Sequence, residues 1–160
     1  MKISIHAIGR LKQGSETELC NRYQDRIGSQ GRSVAIGPVT ICELVESRAA
    51  DANERKASEA AELLQRIPSD AHRVALDERG KTLTSVDFAN VIKQIRDDGA
   101  RELAFAVGGP DGHGDALKAA AHRTLSLGPM TFPHGLARVL LLEQIYRAIT
   151  ILTNHPYHRI

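Results

Sequence analysis

Tryptophan is absent from this 160-residue chain, and only three phenylalanines and three tyrosines are present. Its core must therefore be built from aliphatic side chains. Cysteine is scarce too. Cys20 and Cys42 sit in predicted regular elements without metal-ligand spacing, which favours two thiols in a reducing cytosol over one disulfide. No apolar run approaches the ~20 residues of a membrane span. Met1 to Gly9 reads as a strand and lacks the apolar core and cleavage site of a signal peptide. A cytoplasmic protein without membrane association is expected. The net charge of +2 is too small to announce a nucleic-acid binder by itself. There is no internal repeat, no low-complexity segment, no linker and no Gly-x-Ser-x-Gly elbow.

What is present fits one domain over residues 1–160, with 42% apolar and 25% charged residues. A chain of this size buries roughly 70% of its unfolded surface. Charge is unevenly placed. Residues 1–80 carry 12 basic and 12 acidic groups, whereas residues 116–160 carry Lys118, Arg123, Arg138, Arg147 and Arg159 against Glu143 alone. Four histidines (His122, His134, His155 and His158) share that last stretch. Such a surface suits phosphates, although chance imbalance explains it equally well.

The pattern predicts alternating strands and helices. Ile3–Ile8 reads as a buried strand, and Ser15-Glu16-Thr17-Glu18 as a capping box opening a helix to about Ile27. Val34–Leu44 is strand-like with an interruption at Gly37-Pro38, and residues 50–66 are helical. His72–Asp77 is a strand ending in the polar turn Glu78-Arg79-Gly80-Lys81. Thr84 caps a helix carrying Phe88, Val91, Ile92 and Ile95 on one face. Leu103–Val107 is a strand, 115–122 a short helix, Thr124–Leu127 a strand and Leu136–Thr153 the last helix. This alternation argues for an α/β fold with a mostly parallel sheet and helices on both faces.

Strand ends that open into backbone-rich loops are where such sheets hold ligands. Three qualify: Leu76-Asp77, Gly108-Gly109 and Gly128-Pro129. The second fails the phosphate-loop test, because Asp115 follows Gly114 where lysine is required. His155-x-x-His158 contains Pro156 and has no cysteine or acidic group nearby, so no metal is expected. The last helix has 12 apolar residues among its 18, more than one sheet-facing stripe needs. Packing against a twin subunit is the economical cover for the surplus, with burial inside the monomer as the alternative.

At this point the sequence resembles a known family. The matching segments are Leu76-Asp77-x-x-Gly80-Lys81, Val107-Gly108-Gly109-Pro110-x-Gly112 and Ser126-Leu127-x-x-Met130-Thr131-x-Pro133-His134. They continue through Arg138-Val139 and Glu143-Gln144-x-Tyr146-Arg147-Ala148 to the tail Asn154-His155-Pro156-Tyr157-His158-Arg159. Their order and spacing are similar to those of the ribosomal RNA large subunit methyltransferase H family, the smallest of the SPOUT class. The resemblance implies an α/β sheet with a C-terminal trefoil knot, a homodimer, and S-adenosyl-L-methionine as cofactor. It also implies a substrate: N3 of a pseudouridine in a stem-loop of 23S rRNA, within the assembled ribosome.

Carried over by residue, the resemblance puts the cofactor against Leu76, Gly108, Gly109 and the loop Gly128, Pro129, Met130, Thr131, Phe132 and Pro133. It puts His155, Tyr157, His158 and Arg159 near the donor methyl, with the partner subunit helping to complete the site. A neutral His155 or His158 would take the N3 proton, Arg159 would stabilise the imide anion, and Tyr157 would stack on or hydrogen-bond the base. The chain departs from the commoner family pattern at His113-Gly114-Asp115 and at Gly128-Pro129. Two alternatives stay open: the same fold acting on transfer RNA, and a nucleotide-sensing module without catalysis.

Overall fold

The computed structural model describes residues 1–158. Five strands form one sheet: β1 (Lys2–Ile8), β2 (Val39–Leu44), β3 (His72–Thr82), β4 (Glu102–Val107) and β5 (Arg123–Ser126). Their order is β2-β1-β4-β3-β5, and every pairing is parallel. Parallel strands covered on both faces read as unbroken apolar runs. So it is here: every residue of β1 except Lys2 is buried, as is every residue of β4 except Glu102.

Five helices cover the sheet: α1 (Ser15–Gln30), α2 (Ala52–Arg66), α3 (Ser85–Asp97), α4 (Asp115–Ala120) and α5 (His134–Leu152). Because side chains alternate along a strand, β1 sends Ile3, Ile5 and Ala7 into the larger core with α1, α3 and α5. Ile8 joins Ala104, Ala106, Leu63 and Leu117 in a thinner layer under α2 and α4. Asp51 caps α2 by accepting from the N–H groups of Asn53 and Glu54, and Thr84 caps α3 by accepting from Asp87 N–H.

Four details differ from the sequence expectation. The box Ser15–Glu18 does not form, because Gly14 is the N-cap and the Thr17 hydroxyl donates to the carbonyl of Lys12. Only the second half of Val34–Leu44 is strand. Gly31–Val34 is a 3-10 turn closed by Ala35 in the left-handed region, and the Ile36 carbonyl sits where a Gly31 Cβ would lie, 2.1 Å away. The turn expected at 78–81 is a bulge inside a longer β3, which opposes both Leu76 and Lys81 to Leu125. Gly80 permits this, since a Cβ there would stand 2.7 Å from the Leu125 carbonyl carbon. Finally, α5 lies against α1, α3 and the sheet, so its surplus apolar arc is largely covered within one subunit. Leu136 and Leu140 remain exposed on it, and Met130 is exposed in the preceding loop.

Candidate active site

The carboxyl ends of β3, β4 and β5 open into one cleft of about 680 Å³. A cavity of this size accommodates a ligand as large as a nucleoside with a side arm. Its floor is apolar, from Leu76, Val107, Leu125 and Leu127. Its walls are the loop Gly108–His113 and the loop from Gly128 to His134. Gly112 and Gly128 hold φ values of 79° and 140°, which favour glycine, and the short side chains leave backbone amides bordering the cavity.

Several ties fix these loops. The Ser126 hydroxyl donates to the Gly128 carbonyl at 2.9 Å and accepts from Gly128 N–H at 3.1 Å, which turns the chain out of β5. Arg55 of α2 donates from Nε to Asp111 at 2.7 Å and from Nη1 to the carbonyls of Ala49 and Ala50. Glu59, one turn later on α2, accepts from Ser47 N–H at 2.9 Å and backs onto Gly109. A Gly109 Cβ would stand 3.0 Å from its Oε2. Burial pushes the Glu59 carboxyl above the usual range, and the Glu46 and Asp111 charges add to this. Arg55 holds Asp111 below the usual range through their hydrogen bond.

Also lining the cleft, Lys118 Nζ meets Asp77 Oδ2 at 2.9 Å. Burial alone would raise the Asp77 pKa, but the hydrogen bonds from Lys118 and the Arg79 N–H outweigh it and hold the carboxyl below the usual range. His113 packs under Gly108 and is buried, so its ring stays neutral well below the usual histidine range.

Leu76, Gly108, Gly109, Gly128, Met130, Thr131, Phe132 and Pro133 all line this cleft, whereas Pro129 does not. Residues the sequence reading left out also line it: Lys56, Asp77, His113, Lys118 and His134. Asp77 and His134 lay inside the matched motifs. The anchors Arg55 and Glu59 reach across more than 40 residues from an unremarkable Ala/Glu-rich helix, and no local signal marks them.

The tail lies elsewhere. None of His155, Tyr157 and His158 lines the cleft of its own chain, and Arg159 lies outside the described residues. Asn154 turns the chain at φ 53°, and His155 N–H donates to the Thr150 carbonyl. The Tyr157 hydroxyl donates to Glu143 Oε1 at 3.0 Å, and its ring meets Tyr146 edge-on with centroids 4.8 Å apart. Arg147 pairs with the same Glu143 and stacks 4.9 Å from the Tyr157 ring centroid. Burial and the Tyr23 and Glu143 hydrogen bonds push the Tyr157 pKa up, so the phenol stays a donor. Held this way, Tyr157 anchors the tail on α5. His155 Nδ1 accepts from Tyr157 N–H at 3.2 Å, while His158 Nδ1 is buried without a partner among the described residues.

Comparison with known proteins bears on the whole chain. A family model described as "Predicted SPOUT methyltransferase" matches residues 1–158. A protein of Sinorhizobium medicae named ribosomal RNA large subunit methyltransferase H is 49% identical over 159 residues, covering 99% of both chains. One of the same name from Rhizobium johnstonii is 48% identical over 160 residues, covering 100% of both. Among solved structures, the SpoU methyltransferase AviRb from Streptomyces viridochromogenes, in complex with AdoMet, aligns at 14% identity and a TM-score of 0.43, over 96% of this chain and 61% of that one. With a full-length family match and relatives of near-equal length at almost half identity, the chain belongs to the ribosomal RNA large subunit methyltransferase H family of SPOUT methyltransferases.

Proposed function

We propose that the chain transfers a methyl group from S-adenosyl-L-methionine to N3 of a pseudouridine in a 23S rRNA stem-loop of the assembled ribosome. The observation that carries this is the meeting of three distant segments, around Leu76, Gly108-Gly109 and Gly128–Pro133, in one backbone-lined cleft of a SPOUT chain. The apolar floor suits a purine face, and the flanking loop amides and carbonyls suit its edge and a ribose. When bound, the cofactor supplies a methyl group already activated by a sulfonium charge. The N3–methyl bond forms as the sulfur–methyl bond breaks, and the N3 proton must go to the protein.

We assign that proton to His158. A neutral imidazole that accepts at Nδ1 carries its hydrogen on Nε2, and His155 accepts at Nδ1 from Tyr157 N–H. His155 therefore fixes the tail's turn, while the His158 Nδ1 lone pair is unclaimed within the described chain. Tyr157 and Glu143 hold the tail, and Arg159 stabilises the developing imide anion. Alignment of donor and acceptor contributes much of the acceleration, since well-oriented reactions gain ~7–11 kcal/mol.

The active form is a homodimer in this reading. Each tail is docked on its own α5 and away from its own cleft, so a second subunit is the source of tail groups for that cleft. The exposed Met130, Leu136 and Leu140 supply an apolar contact next to the cleft loop.

The test is methyl transfer from labelled cofactor to purified ribosomes lacking the modification and to bulk transfer RNA, with the site mapped by mass spectrometry. Labelling of pseudouridine in 23S rRNA is expected. Label confined to transfer RNA overturns the substrate assignment. His158→Ala should abolish transfer with cofactor affinity retained, and a fully active His158→Ala overturns the proton-acceptor assignment.

A further inference from the structure

Arg138 is the largest fully buried side chain of the molecule, with no exposed surface at all. Its Nη1 donates to Glu43 Oε1 at 2.6 Å, and its Nη2 donates to the carbonyls of Ile8 at 3.1 Å and Gly9 at 2.6 Å. Glu43 Oε1 also accepts from Leu11 N–H at 2.9 Å. A buried guanidinium is expensive to desolvate and is a weak way to gain stability. Here every hydrogen bond it makes, directly or through Glu43, converges on the end of β1 and the residues just after it.

Those residues form a short loop beside the cleft. Gly9 turns at φ 90°, and a Cβ there would lie 3.2 Å from Nε2 of His134, a cleft residue. Ile8 abuts Gly109 on the other cleft loop, its Cγ2 lying 3.1 Å from where a Gly109 Cβ would be. Leu11 packs against the main core. Arg10 and Lys12, on either side of it, are exposed, and neither enters an ion pair among the described residues. Glu43, the nearest carboxylate on β2, is already neutralised by Arg138. Two exposed cations without an ion pair among the described residues thus follow Gly9, whose backbone abuts the cleft residue His134.

We propose that the Gly9–Lys12 loop is a phosphate-docking element for the RNA substrate, with Arg10 and Lys12 contacting the backbone of the strand whose base enters the cleft. This rests on the RNA methyltransferase reading and names a surface for it. Backbone contacts set the register of a nucleic acid and leave base choice to the site itself. A chain with a net charge of only +2 gains most from cations placed beside the reacting base. Arg138, through Gly9 and Glu43, is a positioning residue for that loop.

The test measures RNA binding to the full-length protein at a series of potassium chloride concentrations, with cofactor affinity followed by calorimetry. Each phosphate contact contributes about 0.7–0.9 to the slope of log affinity against log salt. Arg10→Ala with Lys12→Ala should lower that slope by roughly 1.5 and raise KM for the RNA, with kcat and cofactor affinity kept. Arg10→Lys should restore its share. Glu46→Gln, which removes the carboxylate lying 3.0 Å from a Gly9 Cβ, should tighten binding. An unchanged slope in the double variant overturns the proposal, and so does a loss of cofactor affinity equal to the loss of RNA affinity. Failure of the parent chain to methylate any RNA would instead sink the enzyme reading, because the slope is read from binding alone.

Discussion

Arg138 shows how much a single residue can control here. Removing its guanidinium leaves the Glu43 carboxylate without its cation and two carbonyls, of Ile8 and Gly9, without donors. Breaking a buried pair from one side costs about 3–5 kcal/mol. For a chain of this length that corresponds to a fall in Tm on the order of 10 °C. Arg138→Met should show that fall in thermal unfolding, and Arg138→Lys should recover little, since one ammonium cannot serve three acceptors in a fork. Glu43→Leu combined with Arg138→Met should recover part of the loss, because no uncompensated charge then remains. A Tm for Arg138→Met within about 2 °C of the parent would mean that water replaces the guanidinium.

The elements were readable in the sequence to the extent that their cause is local. Apolar runs in β1 and β4, the cap Thr84, and the helical spacing in α3 each act within a few residues. What was missed depends on distant partners. The bulge at 77–80 exists because Leu125 packs against Gly80, and Gly14 replaces the expected cap because Thr17 turns to Lys12. The cleft followed the same division. Glycine loops at strand ends marked its walls, but the Arg55–Asp111 and Lys118–Asp77 pairs close it across the fold. The last helix is the instructive element. Its apolar surplus pointed to a twin subunit, yet α1 and α3 take most of it, and the dimer argument now stands on Leu136, Leu140 and Met130. Leu136→Glu with Leu140→Glu places two charges one turn apart on that patch. Light scattering should then report a monomer in place of a dimer, with methyl transfer lost and the Tm close to the parent's. A double variant that remains dimeric would move the interface to another face.

At the scale of the whole molecule, acid is the condition to which this fold is most exposed. His6, His72 and His113 are spread over β1, β3 and the cleft loop, and burial lowers the pKa of each. His6 and His113 each keep a buried ring nitrogen without a partner, as does His72. The unfolded chain therefore binds these protons first as the pH falls. A group with a depressed folded value stabilises above its unfolded value, near 6.5, and loses that contribution as the pH drops through the folded value. Glu59 acts in the opposite sense. Its folded value is raised, so the folded state takes up that proton early and gains relative stability on the way down to about 4.5. Asp77 and Asp111, both depressed, lose their contributions only below about 3.8. Three histidines outweigh one glutamate in the window below 6.5. Tm should thus be level from pH 8 to about 6.5 and then decline by several degrees towards pH 5. His113→Leu should shallow that decline, because leucine has no proton to take up at the cleft loop. A Tm that holds steady or climbs over the same interval would show that these buried imidazoles accept protons without opening the fold.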